Sequence, residues 1–143
     1  MEILSKSVKE TAEVARDFLD KLKPENQMAT IIGLSGELGS GKTTFVQNLA
    51  HELGLTGVIT SPTFVIEKIY RLTGQKFQKL VHIDAYRLEN GSELSKLGFQ
   101  ELTRDPSNLI LIEWAERVAD ILNGTRTIYF KFIDENTRQI NIA

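Results

Sequence analysis

Residues 29–46 read ATIIGLSGELGSGKTTFV, which is an apolar run, a turn rich in glycine and then a helical pattern. The stretch fits the motif G-x-x-x-x-G-K-[ST] without a departure, with Gly36, Gly41, Lys42 and Thr43 at its fixed positions. Glycines let consecutive backbone N–H groups curl around a phosphate, and the following helix adds the positive end of its dipole at the same point. The sequence therefore predicts a phosphate loop between a buried strand and a helix.

The side chains of this loop suit a nucleotide that carries a metal ion. The Lys42 ammonium would reach the β- and γ-phosphates, and the Thr43 hydroxyl would ligate Mg²⁺. The residues that we expect to bind the nucleotide from this loop are Glu37, Leu38, Gly39, Ser40, Gly41, Lys42, Thr43 and Thr44.

The composition is that of one globular domain spanning residues 1–143. The chain is 41% hydrophobic and 25% charged, which is enough to build an ordinary core. It contains no cysteine, so a disulfide framework and a zinc–thiolate site are excluded. The N-terminus lacks the apolar core of a signal peptide, and no apolar run approaches the length of a membrane span. We therefore expect a cytoplasmic protein.

The charge of the chain bears on its partners. The formal net charge is −2 and the isoelectric point is near 5.7. Affinity for nucleic acid depends mostly on cationic side chains, so this balance argues against a large phosphate-backbone footprint. If RNA is involved, we expect a partner to hold it.

Apolar periodicity and turn residues predict an α/β fold. It is typical of a P-loop NTPase-like three-layer sandwich, whose mixed sheet has a parallel core and antiparallel hairpins. Helices are predicted from Ser7 to Pro24 and over 44–53, 91–97 and 114–122. Strands are predicted over 3–4, 28–35, 65–70, 77–84, 108–113, 127–133 and 139–142.

Two apolar strands end in a carboxylate, at Asp84 and at Glu113. At the carboxyl end of a parallel sheet, such a group can lie beside the phosphate loop, where it holds Mg²⁺ or orients the attacking water. Alternatively, Asp84 is a helix N-cap and Glu113 a solvated carboxylate in the first turn of a helix. The pattern of residues does not choose between the two carboxylates.

Other polar residues have two interpretations each. Thr63 follows Ser61-Pro62, where it is either part of a rigid strand entry or a switch-like hydroxyl that faces the γ-phosphate. Thr11 lies in the first turn of the first helix, where it could touch a base or a ribose or simply belong to a capped helix start. His51 has no second ligand at metal-binding spacing, so we expect a solvated or capping histidine.

Three further segments follow the loop in a fixed order: Ser61-Pro62-Thr63-Phe64, His82-Ile83-Asp84-Ala85-Tyr86-Arg87-Leu88 and Ile112-Glu113-Trp114. With the phosphate loop, they closely resemble the TsaE (YjeE) family of small bacterial P-loop ATPases over essentially the whole chain. The loop alone indicates only a superfamily, whereas H-x-D-x-Y-R followed by E-W is specific to this family.

The resemblance implies a magnesium-dependent ATPase that serves the formation of N6-threonylcarbamoyladenosine at position 37 of ANN-decoding tRNAs. In that family the protein works with the TsaB–TsaD pair and meets tRNA only through these partners. Carried onto this sequence, the resemblance implies the following roles: Lys42 on the phosphates, Thr43 and Glu113 around Mg²⁺, Asp84 near the γ-phosphate, Thr63 in the switch-like loop and Trp114 beside the nucleotide.

Two other functions share these motifs. A small-molecule kinase would need an arginine-bearing lid over the phosphates, and the chain has no such segment of useful length. A nucleotide sensor would bind ATP without appreciable hydrolysis. Arg87, three residues past Asp84, is the best candidate for an additional cation, but it could equally dock a partner or form a structural ion pair.

Overall fold

This computed structural model describes residues 1–57, 59 and 66–142. Its elements in chain order are β1 (Glu2–Ser5), α1 (Val8–Lys21), β2 (Thr30–Gly36), α2 (Lys42–Glu52), β3 (Glu67–Arg71), β4 (Lys79–Asp84), α3 (Ser92–Lys96), α4 (Phe99–Thr103), β5 (Asn108–Glu113), a 3-10 helix (Ala115–Ile121), β6 (Arg126–Phe132) and β7 (Arg138–Ile142). No helix among the described residues is long and apolar enough to cross a membrane.

The strands form one mixed sheet in the order β1-β7-β6-β2-β5-β4-β3. Strands β6, β2, β5 and β4 run parallel, while β3 and β7 pair antiparallel with β4 and β6 as two hairpins. The predicted α/β fold, with a parallel core and antiparallel additions, is confirmed. Because β2 lies among the parallel strands, the loop that follows it opens at the middle of the carboxyl edge of the sheet, where α/β proteins bind ligands.

Helices cover both faces of the central strands. Leu109 and Leu111 of β5 pack in the core that α1 and α2 complete, whereas Ile110 and Ile112 pack with α3, α4 and the 3-10 helix. Every residue of β5 is buried. A parallel strand that is covered on both faces reads as a continuous apolar run, which is why this strand was recognisable in the sequence.

The start of α1 is fixed by its predicted cap. The Ser7 side chain accepts a hydrogen bond from the Glu10 N–H at 3.0 Å. The Glu10 carboxylate accepts from the Lys6 N–H at 2.5 Å, one residue before the position that a capping box uses. This cap holds the first turn of α1 against β1, next to the carboxyl edge of the sheet.

Two helical predictions need correction. The segment predicted as a helix over 114–122 is a 3-10 helix, in which Val118 departs from helical backbone angles, and Trp114 before it has a φ of 59°. The helix α4 was not predicted, because five residues are too few to display helical periodicity. Both differences lie on the face of the sheet opposite α1 and α2.

Candidate nucleotide-binding site

The phosphate loop, residues 36–43, has a backbone that only glycine fits at two positions. A Cβ atom at Gly36 would lie 2.4 Å from the carbonyl oxygen of Phe130, which no real Cβ tolerates. Gly41, the residue before α2, has a φ of 107°, where any L side chain is strained. The loop therefore closes around bare backbone, as a site that brings N–H groups close to a phosphate requires.

Ser40 is the orphaned polar residue of this loop. Its side chain is 1% exposed, and its hydroxyl has no hydrogen-bond partner among the described residues. Buried hydroxyls nearly always have a partner, so one without any needs an explanation. A phosphate oxygen in the loop is an acceptor of the kind that this hydroxyl lacks.

Lys42 places a cation inside the loop. Its Nζ atom donates to the carbonyl oxygens of Gly36 and, at 3.0 Å, Glu37, and it lies 4.1 Å from the centre of the Trp114 ring. The residue is 5% exposed. Burial lowers the pKa of the Lys42 ammonium below its ordinary value. Four carboxylates oppose this lowering of the pKa. From the largest effect to the smallest, they are Glu113, Glu116, Asp84 and Glu37.

Glu113, at the end of β5, joins the loop to the sheet. Its Oε1 atom accepts from the Thr43 hydroxyl at 2.8 Å, and its Oε2 atom lies 2.6 Å from Nε2 of His82. Glu113 is 2% exposed, so the alternative of a solvated carboxylate is wrong. The contact with Thr43 brings together the two residues that the sequence predicts to lie around a metal ion.

Asp84, at the end of β4, stands beside Glu113 in the strand register. It is 5% exposed, and its Oδ1 atom accepts from the Tyr86 N–H at 2.9 Å. The next helix, α3, begins only at Ser92, so the alternative of a helix N-cap is wrong as well. The Asp84 carboxylate shapes the turn that leaves the sheet, and it faces the same cleft as Glu113.

A cleft of about 760 Å³ contains most of the predicted residues. Its lining includes Thr11, Leu38, Gly39, Ser40, Gly41, Lys42, Thr43, Thr44, Asp84, Glu113 and Trp114. The Thr11 hydroxyl is already engaged with the Ser5 hydroxyl at 2.6 Å. Glu37 is not among the described lining residues. Its side chain is exposed, whereas its backbone carbonyl oxygen accepts a hydrogen bond from Lys42. Thr63 lies outside the described residues.

Two residues of the cleft received no role in the sequence analysis, although Tyr86 belongs to a motif of the family. Arg138 of β7 donates from Nε to the carbonyl oxygen of Gly39 at 3.0 Å and from Nη1 to that of Asp134 at 2.6 Å. Tyr86 packs on Trp114 with ring centres 4.9 Å apart. No local pattern could place Arg138, because 99 residues separate it from the loop.

Two residues considered in the sequence lie elsewhere. Arg87 is exposed and is not among the described residues that line the cleft. His51 is exposed, and its Nε2 atom lies 3.2 Å from the carbonyl oxygen of Gly57. The cleft therefore draws its described cations from Lys6, Lys42 and Arg138.

Comparisons with known proteins agree with this geometry. The family model described as threonylcarbamoyl adenosine biosynthesis protein TsaE matches residues 5–140. Two proteins named tRNA threonylcarbamoyladenosine biosynthesis protein TsaE are similar along nearly all of the chain. The one from Rickettsia prowazekii is 38% identical, over 95% of this chain and 90% of that one. The one from Treponema pallidum is 36% identical, over 100% of both chains.

A solved structure is similar as well. The crystal structure of Bacillus subtilis YdiB matches with a TM-score of 0.75 and 28% identity, over 98% of this chain and 82% of that one. The residues that the family model matches include the phosphate loop, Asp84 and Glu113. The chain therefore belongs to the TsaE family.

Proposed function

We propose that this protein is a magnesium-dependent ATPase that supports the TsaB–TsaD complex in making N6-threonylcarbamoyladenosine at position 37 of ANN-decoding tRNAs. The observation that carries the proposal is the partly buried contact between Thr43 and Glu113 at the base of a complete phosphate loop. A hydroxyl and a carboxylate held together in this way are the protein ligands that nucleotide-bound Mg²⁺ uses.

The loop fits the polyphosphate of ATP. The buried Ser40 hydroxyl lacks a partner among the described residues, and Gly36 and Gly41 allow the tight backbone that brings N–H groups to a phosphate. Lys42 is close enough to exchange the carbonyls of Gly36 and Glu37 for phosphate oxygens. The phosphate oxygens would give the buried ammonium the opposite charge that it otherwise lacks as a direct partner. The burial that lowers the pKa of Lys42 therefore also favours phosphate binding.

The residues also fit Mg²⁺, provided that the nucleotide supplies some of the ligands. Among the described residues, no cluster of three or more histidine, cysteine, aspartate or glutamate side chains could hold a metal alone. Mg²⁺ usually takes one or two protein ligands and completes its shell with phosphate oxygens and water. Thr43 and Glu113 would hold it, and its charge would offset the charge that develops on the phosphates.

The remaining residues suit positioning of the reactants. Asp84 lies beside Glu113 at the edge of the cleft, where it would orient the water that attacks the γ-phosphorus as the bond to the β-phosphate oxygen breaks. Trp114 would close one side of the phosphates, since its ring already lies against Lys42. Thr63 would add a switch-like hydroxyl.

The set of cations that line the cleft supports the proposal that a partner activates ATP hydrolysis. Phosphoryl transfer is helped by a second positive charge on the γ-phosphate, and a finger supplied by a partner is worth about 10³ to 10⁵ in rate. Among the described cations that line the cleft besides Lys42, Arg138 already donates to the carbonyl oxygens of Gly39 and Asp134, and Lys6 is an exposed residue just before α1. We infer that the protein alone is a slow ATPase and that the TsaB–TsaD pair accelerates it, with tRNA bound by these partners.

The test is phosphate release from ATP by the protein alone, with TsaB–TsaD, and with small-molecule acceptors. We expect slow release alone and a large increase with the pair. Transfer of the phosphoryl group to an acceptor would indicate a kinase instead, and tight ATP binding without release under every condition would indicate a sensor. The Arg87→Ala variant, measured in the same assay, tests the docking role of Arg87: a loss of activation that excess TsaB–TsaD restores supports it.

A further inference from the structure

His82 is a buried polar residue to which the proposed function gives no role. It lies on β4 two residues before Asp84 and is 0% exposed. Its Nε2 atom is 2.6 Å from Oε2 of Glu113, while its Nδ1 atom has no hydrogen-bond partner among the described residues. A fully buried imidazole with one strong contact and one orphaned nitrogen needs an explanation.

The strand register explains how the contact arises. His82 pairs with Leu111 across β4 and β5, and Asp84 pairs with Glu113 two residues further along. Alternate residues of a strand share a face, so His82 and Glu113 both lie on the face that carries α2 and Thr43. The imidazole thus contacts the carboxylate from the interior of the protein, and it is not among the described residues that line the cleft.

The two nitrogens of the ring are not equivalent. An ionised carboxylate only accepts hydrogen bonds, so the short contact requires a hydrogen on Nε2 that is donated to Glu113. Nδ1 has no partner among the described residues, so the bond to Glu113 is the hydrogen bond that holds the ring.

We propose that His82 is a positioning residue that fixes the orientation of the Glu113 carboxylate for metal binding. The two oxygens of Glu113 are held by different donors, Thr43 on Oε1 and His82 on Oε2, so rotation of the carboxylate breaks one of the two bonds. Groups behind a metal ligand commonly act in this way.

This inference rests on the proposed function, because it assigns Glu113 to Mg²⁺. Its first test does not depend on turnover. The chain has two histidines, so long-range proton–nitrogen NMR spectra of the wild type and of His51→Gln assign the His82 ring directly. We expect Nε2 to carry a hydrogen, both without ligand and with Mg²⁺ and ADP. A ring with hydrogen on Nδ1 alone would overturn the proposal.

The second test measures the affinity for ADP with Mg²⁺ and with EDTA. In His82→Leu, we expect the gain in affinity that Mg²⁺ gives to fall about tenfold or more, the usual cost of removing a group that orients a metal ligand, while the affinity in EDTA is unchanged. His82→Gln should recover part of the gain, because its amide also donates. Val81→Ala is the matched control, since Val81 is a fully buried neighbour on the opposite face of β4.

The outcomes separate the two proposals. If Mg²⁺ does not raise the affinity of the wild type for ADP, the assignment of Glu113 to the metal fails, and this inference fails with it. If Mg²⁺ does raise it and His82→Leu keeps the full gain, only the role of His82 is wrong. An equal loss in Val81→Ala would show that the effect is one of general packing, and it would overturn the positioning role.

Discussion

A cleft lined by charged residues lies at each end of the parallel strands, but only the cleft at the carboxyl edge contains buried charged residues. At the carboxyl edge, Lys42, Asp84 and Glu113 line the cleft of about 760 Å³ while being at most 5% exposed. At the amino edge, a cleft of about 460 Å³ is lined by charged side chains that are all exposed: Lys21, Lys23, Glu25 and Arg126.

The difference supports the proposal that the nucleotide binds at the carboxyl edge. Burying a charge costs free energy unless a partner compensates for it, so an ordinary surface cleft keeps its charges in water, as the amino edge does. The carboxyl edge holds an ammonium and two carboxylates out of water around an orphaned hydroxyl. Such an arrangement is expected where a ligand completes the pairing, and cleft volume alone would not have shown it.

The sharpest test of this comparison is to remove one lysine from each end. Lys42→Ala should weaken ATP binding by about 100-fold or more, because a donor aimed at the phosphates is lost, and hydrolysis should become undetectable. Lys23→Ala at the amino edge should leave both unchanged. Nucleotide titration and phosphate release measure the effect, and circular dichroism confirms that the variants are folded. Wild-type turnover in Lys42→Ala would remove the assignment of the phosphate loop.

The next test compares the two carboxylates within the carboxyl edge. Glu113→Gln keeps the shape but removes a negative charge from the Thr43 contact, so kcat should fall about 10²-fold or more with a smaller change in ATP affinity. Asp84→Asn should lower kcat less, since the Asp84 carboxylate is bound to the turn at Tyr86 and not to Thr43. Steady-state kinetics at several Mg²⁺ concentrations measure both variants. If Glu113→Gln is neutral and Asp84→Asn is inactive, the metal role belongs to Asp84.

Much of the fold was predictable because its signals are local. The apolar run of β5, the turn at Gly36 and the cap at Ser7 each specify an element through residues that are neighbours in the chain. The backbone of Trp114 was not predictable in this way. Its left-handed conformation, with a φ of 59°, arises where the chain turns from β5 into the 3-10 helix, and a tryptophan gives no such signal.

The site was predictable to a different extent. The loop and the two carboxylates could be named from motifs, and only the family resemblance favoured Glu113 over Asp84 as the metal ligand. The contact of Glu113 with Thr43, 70 residues away, supports that choice, and it depends on the strand order. Arg138 was missed for the same reason, because it reaches Gly39 only through the β6–β7 hairpin.

A third test asks whether a change near the amino edge lowers the stability of the protein without affecting catalysis at the carboxyl edge. Lys76, near the amino edge, donates to the carbonyl oxygens of Leu19 at 2.5 Å and Leu22 at 2.6 Å, which end α1. Lys76→Met should lower the free energy of unfolding by about 1 kcal/mol, because these helix-terminal carbonyls lose their donor. Urea denaturation measures the change, with Lys23→Ala as the control. The kcat of Lys76→Met should equal that of the wild type, and a fall in kcat at unchanged stability would contradict the separation.

The smallest expected effect lies in the alkaline stability of the ligand-free protein. Burial lowers the pKa of Lys42 below the 10.5 of the unfolded chain. Between these two pKa values the unfolded state binds more protons, so the Lys42 contribution to stability rises with pH and is a constant cost below the folded pKa. Tyr70 acts in the opposite direction, since burial raises its pKa above 10.0 and stability is lost as the unfolded phenol ionises.

Lys42→Ala keeps Tyr70, so the difference in unfolding free energy between variant and wild type isolates the lysine. This difference should favour the variant most at neutral pH and shrink as the pH approaches 10.5. A difference that is independent of pH over this range would mean that Lys42 is not held at a cost, and that the contrast between the two ends is only one of exposure.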